Sequence, residues 1–112
     1  MNIQIYFYKK NFDVQKAERY FKERRIPFQP LDLKKHRLGE REVRLMIEGI
    51  GMECLLDRED KKTKEHPACY YDRAELLIPA IQENPWLMKT PVVRNGNKVT
   101  LGYQPQVWDT WK

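Results

Sequence analysis

The sequence predicts an α/β fold in which a small mixed sheet carries helices on both faces. Three observations predict it. A strand, a helix and a strand fill the first 33 residues, a helical stretch occupies the middle, and a hairpin followed by a helix closes the chain. In order these read β-α-β, a helical segment, then β-β-α, with parallel strands first and an antiparallel hairpin last.

Ile3, Ile5 and Phe7 alternate with Gln4 and Tyr6, a strand pattern over about residues 2 to 8. Val14, Ala17, Tyr20 and Phe21 then recur at helical spacing while Lys16, Glu18, Arg19, Lys22 and Glu23 face water, giving a helix over about 12–24 with Asn11 or Asp13 as its N-cap. Ile26 to Leu33 reads as a second strand, and Pro27 and Pro30 mark part of it as an edge, because proline cannot donate to a ladder. The helix between them is long enough to return the chain for a parallel pair.

Between Gly39 and Gly51, Val43, Met46, Ile47 and Ile50 make a one-sided helix closed by glycine. Residues 52–59 add a turn or two around Met52, Leu55 and Leu56, and DREDKKTKEHP (57–67) reads as an exposed loop. Asp72, with Glu75 three residues on, resembles a capping box for a helix whose inner stripe is Ala74, Leu77, Ile78 and Ile81. Pro79 inside that stripe removes one backbone hydrogen bond and predicts a kink or an interruption. Asn95-Gly96-Asn97, between Pro91-Val92-Val93 and Lys98-Val99-Thr100-Leu101, is a hairpin signal. Pro105 suits the first turn of a last helix, anchored on the sheet by Val107, Trp108 and Trp111.

This order is the layout of the thioredoxin fold with a helical insertion. A single domain is expected over 1–112, with 1–35 and 84–112 as its core and 36–83 as the insertion.

The totals fit a folded, water-soluble protein: 41% hydrophobic and 33% charged residues, with no apolar run near the roughly 18 residues of a membrane span. The opening MNIQIYFYKK lacks the pattern of a secretory signal, which makes the cytoplasm the expected location. The net charge of +5 gathers in RYFKERR (19–25), KKHR (34–37) and DKKTK (60–64). Acids interleave with most of these bases and no nucleic-acid-binding motif accompanies them, so nucleic acid is not expected as a direct ligand. His36 and His66 do not join Cys54 and Cys69 in zinc-ligand spacing, and no metal is expected. The two cysteines read as free thiols, Cys54 as a small core residue and Cys69 as a loop residue beside His66.

Two passages carry a family resemblance. ENPWLMKTPVVRNG followed by LGYQP resembles the C-terminal signature of the glutaredoxin-like arsenate reductase and Spx family. IQIYFYKKNFDVQKAERYFKERRIPFQPLDL is similar to the family's opening strand, redox loop, Lys-Ala helix and second strand. The resemblance implies a thiolate at the start of the first helix, stabilised by the helix's positive end. Aligning Lys16-Ala17 with the family's equivalent pair puts Asn11 at the cysteine position and Val14 where Spx-type members carry a second cysteine or a serine. The arginines that would hold an oxyanion are also missing: Thr90 precedes the proline expected to be cis, Asp57 (with Arg58 next to it) follows the Leu-Leu pair, and Tyr103 and Gln104 precede Pro105.

The resemblance therefore implies a non-catalytic, Spx-like homologue that acts by binding a protein partner, as Spx-type relatives do on RNA polymerase. Its groove would lie at Lys10, Asn11, Thr90 and Pro91, with Lys9 beside them and with the basic first helix and Arg94 as further contacts. No cofactor is then expected. The alternative is a thiol-dependent oxidoreductase or arsenate reductase working through Cys69 or Cys54, with glutathione as its thiol. Direct nucleic-acid binding through the basic clusters is the third class.

Overall fold

The computed structural model describes residues 1–111. Four strands form one sheet in the order β2-β1-β3-β4: β1 Ile3–Phe7, β2 Phe28–Asp32, β3 Val92–Asn95 and β4 Lys98–Leu101. β1 pairs with β2 in parallel, and both β1–β3 and β3–β4 are antiparallel. Pro30 therefore sits on an edge strand, where its missing N–H breaks no ladder. Gly96, at φ +63, turns the β3–β4 hairpin.

Helices cover both faces. Helix α1 (Phe12–Glu23) lays Ala17, Tyr20 and Phe21 on one face, against Ile3, Ile5 and Val93. The last helix passes through Pro105–Trp108 and one further 3-10 turn, adding Trp108 and Trp111 to that layer. Trp108 Nε1 donates to Thr100 Oγ1 at 2.8 Å. Both of these tryptophans are buried, whereas Val107, expected to anchor the helix with them, is exposed. A four-residue helix has room for only one inward stripe, and Trp108 occupies it.

On the opposite face, α2 (Glu40–Ile50) and α5 (Ala74–Glu83) pack Val43, Met46, Ile47, Leu77, Ile78 and Ile81 around Tyr6 and Val92. Helix α5 runs through Pro79 without interruption, and the proline faces solvent, where the loss of one N–H costs least. Its N-cap residue is Arg73 with no side-chain cap bond, so the capping box read at Asp72 does not form. The stretch 57–67 is likewise not a plain exposed loop. Helix α4 (Lys61–Lys64) starts at Asp60, whose Oδ2 accepts from the Thr63 N–H and hydroxyl, and Thr63 is fully buried. Helix α3 (Met52–Leu55) turns Leu55 inward, which points its neighbour Cys54 out to solvent rather than into the core.

The α2 face holds a partly buried polar knot. The Tyr6 hydroxyl donates to Glu42 Oε2 at 2.7 Å, the Gly39 N–H donates to Glu42 Oε1 at 2.8 Å, and His36 Nε2 lies 3.1 Å from Oε2. Burial pushes the Glu42 carboxyl up, but these partners outweigh it and hold the group below its ordinary 4.5. Burial and the Glu42 bond push the Tyr6 hydroxyl up to about 12.

Two expectations follow from this packing. The Glu42 contribution to stability is fully present above its unfolded value, near 4.5, and is lost as pH falls through its lower folded value. The Tyr6 contribution is lost as pH climbs from the unfolded value of 10.0 toward about 12. Urea midpoints measured against pH should therefore fall at both ends, and Glu42→Gln should remove its share of the acid limb. Gly49 lies where α2 meets β4, and a Cβ there would collide with Cγ2 of Val99, a stiff β-branched side chain. In an open helix Gly→Ala stabilises by about 1 kcal/mol. Here Gly49→Ala should instead lower the urea midpoint, and Val99→Ala in the same chain should restore the normal sign.

Candidate functional site

The junction between β1 and α1 is fixed by one side chain. Asn11 Oδ1 accepts from the Val14 N–H at 2.8 Å, so Asn11 and not Asp13 is the N-cap of α1. Its Nδ2 donates to the Thr90 carbonyl at 3.1 Å. These partners orient the amide, since reversing it would set donor against donor and carbonyl against carbonyl. The Thr90–Pro91 peptide is cis, and Pro91 is buried behind it.

Neighbouring segments complete a cleft of about 680 Å³ at this junction. Leu56 bridges to Met88 in antiparallel sense, with the Asp57 N–H on the Leu87 carbonyl and the Lys89 N–H on the Leu55 carbonyl, so the end of α3 runs beside the strand leading to Thr90. That short ladder sets Asp57, Met88 and Lys89 into the cleft wall. The turn into α4 adds Glu59, Asp60 and Lys62, while Tyr8, Lys9 and Asp13 come from the junction itself. The Gly102 N–H bonds the Pro91 carbonyl at 2.9 Å and brings the end of β4 to the rim. Lys62 Nζ stands 4.2 Å from the centroid of the Trp86 ring.

The cleft is electrostatically mixed: four carboxylates (Asp13, Asp57, Glu59, Asp60) face three ammonium groups (Lys9, Lys62, Lys89). No arginine lines it. Arg58, the guanidinium nearest in sequence to Asp57, instead donates to the Cys69 carbonyl at 3.0 Å. Among the described residues no group of three His, Cys, Asp or Glu side chains could hold a metal ion, and no helix is long and apolar enough to cross a membrane.

Of the residues singled out in the sequence, the fold brings Asn11 and Thr90 together with Pro91 behind them, and Lys9 lines the cleft. Lys10 stays outside the lining and pairs with Glu18 at 3.3 Å. Arg94 lies further along β3, where Nε donates to the Gly96 carbonyl at 2.7 Å and Nη1 reaches the Tyr6 hydroxyl at 3.4 Å. Neither cysteine lines the cleft: Cys54 is exposed on α3, and the Cys69 thiol donates to the Thr63 carbonyl at 3.0 Å. Sequence reasoning missed Tyr8, Trp86 and the Glu59–Lys62 side of the wall. Tyr8 is local to the junction, whereas Trp86 and the Glu59–Lys62 side come near Asn11 with the Leu56–Met88 bridge, which has no local signature.

Comparison with known proteins places this geometry. The ArsC family model matches residues 6–111. Among solved structures, the YFFB protein superposes with a TM-score of 0.81 at 19% identity, covering 96% of each chain. An arsenate reductase from Vibrio cholerae gives 0.80 at 18% identity over 97% of each chain. A protein related to arsenate reductase from Brucella melitensis gives 0.69 at 21% identity, over 99% of this chain and 94% of that one. Among curated protein sequences nothing matches. The solved structures share the thioredoxin-like fold; the family model, spanning nearly the whole sequence, adds membership, and the chain belongs to the ArsC family.

Proposed function

We propose that this ArsC-family chain is a binding or regulatory protein that does not run thiol reduction and that acts on a protein partner. The observation that carries the reading is the Asn11 carboxamide, engaged at both ends by the Val14 N–H and the Thr90 carbonyl. By the family resemblance this position calls for a nucleophilic sulfur, and an amide cannot supply the electron pair that attacks arsenic or a disulfide. The charge around it supports the same reading. Asp13 competes for the positive end of α1, and Asp57, Glu59 and Asp60 would repel an arsenate oxyanion that has no arginine to hold it. No glutathione is required, because no mixed disulfide forms.

The competing reading, an oxidoreductase using Cys54 or Cys69, needs one of those thiols to reach substrate without the help of the cleft. Purified protein supplied with arsenate, glutathione and a glutaredoxin system should show no turnover above the buffer rate. Turnover that vanishes in Cys54→Ala or Cys69→Ala would reverse the assignment. For the clamp itself, Asn11→Ala should lower unfolding free energy by about 1 kcal/mol for the lost cap. Asn11→Asp should fall between the two in urea titrations, since it keeps the acceptor for Val14 but sets a carboxylate against the Thr90 carbonyl.

A further inference from the structure

The basic run Lys34, Lys35, His36 and Arg37 takes no part in the cleft at Asn11. In the folded chain all four line a second hollow, of about 400 Å³, opposite Gln82, Glu83 and Pro85 at the end of α5. Glu83 is the one carboxylate in that lining. Among the described residues no ion pair engages Lys34, Lys35 or Arg37, although Lys34 Nζ stands over the Tyr8 ring, while His36 meets Glu42.

The backbone beneath these cations is held from several directions. The Lys34 N–H donates to Asp32 Oδ1 at 2.9 Å, and the Lys35 and His36 N–H groups converge on the Asp32 carbonyl at 2.9 and 2.7 Å. Gln82 Nε2 ties the Leu38 carbonyl to α5 at 3.1 Å. A charged segment fixed in this way loses less conformational freedom on binding than a mobile tail would.

Tyr8 and Trp86 are shared by both linings, so the two hollows adjoin across that pair. The sign of charge reverses there. Three permanent cations and one carboxylate lie on one side; four carboxylates and three lysines lie on the other. A nucleic-acid strand following the groove would carry its phosphates from the cations into Asp57, Glu59 and Asp60, and repulsion there opposes it. A polypeptide can reverse its own charge along its length.

We infer that the hollow at Lys34, Lys35 and Arg37 receives the carboxylates of an acidic stretch in a partner protein, whose chain continues past Tyr8 and Trp86 with basic residues toward Asp57, Glu59 and Asp60. This rests on the binding role proposed above and names the partner's chemistry. The test uses a fluorescein-labelled synthetic peptide in which a glutamate block and a lysine block are joined by a short glycine spacer, titrated with the full chain by anisotropy at low salt. Lys34→Glu/Lys35→Glu/Arg37→Glu reverses three exposed charges in the hollow. Arg41→Glu/Arg73→Glu/Lys98→Glu makes the same change in net charge at exposed positions outside both hollows and outside the basic first helix.

The first variant should weaken binding about tenfold or more, and the second should stay within about twofold of the wild type. The neutralising pair Lys35→Gln/Arg37→Gln should fall between them. Equal losses in both triple variants, no binding by the wild type, or oligothymidylate binding as tightly as the peptide would each overturn the inference. Arsenate turnover plays no part in this readout. A failed titration therefore rejects the hollow and leaves the case against reductase chemistry where it stood.

Discussion

The carboxamide of Asn11 joins two parts of the chain that are far apart in sequence. Its oxygen closes the first turn of α1, and its nitrogen holds the carbonyl of Thr90, two residues before β3. A neutral amide suits this bridge because it offers an acceptor and a donor from one planar group. A carboxylate can cap the helix but repels the second carbonyl, and a single thiol cannot span both partners with good geometry. Each bond adds only about 1 kcal/mol of net stability, but together they fix the distance between helix start and strand entry. One wall of the cleft is referred to that distance, because Met88 and Lys89 lie on the segment that ends at Thr90 and Asp57 is hydrogen-bonded to that segment at the Leu87 carbonyl.

A second bridge plays the same part on the other face of the sheet. Glu42 accepts from Tyr6 on β1 and from the Gly39 N–H, and it meets His36 in the loop between β2 and α2. One carboxylate thus ties the central strand, the N-terminus of α2 and the basic loop into one unit. Leaving the buried Tyr6 hydroxyl without a partner would cost more than the bond itself contributes, so the knot helps specify how α2 sits on the sheet. Arg94 reaches the same hydroxyl from β3, which explains why this cation lies away from the cleft.

The strands, the main helices and the sheet connectivity were legible because they depend on local periodicity and turn chemistry. Ile3 and Ile5 alternate, Asn95-Gly96-Asn97 turns, and Val43, Met46 and Ile47 share a face. Tyr6 was not legible as a buried residue, since alternation with Ile5 suggested a half-polar face. Helices cover both faces, however, and Glu42 satisfies the hydroxyl. Cys54 misled for the opposite reason: its neighbours Met52, Leu55 and Leu56 are apolar, but a single helical turn cannot face inward all the way round. In the site, Asn11 could be read as a cap from the sequence, whereas its bond to Thr90 depends on a tertiary approach that no short-range pattern encodes. The α4 side of the cleft was hidden by composition, because a charged run looks like a loop until Asp60 is seen capping Thr63.

Under the proposed binding role, the wall shared by the two hollows also bears on which segments would enter. Lys34 Nζ stands 5.1 Å from the Tyr8 ring centroid, and Lys62 Nζ stands 4.2 Å from that of Trp86. Each of these cation–π contacts contributes about 0.5–1 kcal/mol at an exposed site. A ligand that needs those ring faces must displace the chain's own lysines, so a purely apolar group gains little from entering. A segment carrying carboxylates draws Lys34 toward itself, and one carrying cations can replace Lys62 over Trp86 while meeting Asp57 and Glu59. Under the proposed binding role, the aromatic pair would therefore discriminate by charge order and not by hydrophobicity. This sets the groove apart from an oxyanion pocket, whose selectivity would require a single sign of charge throughout.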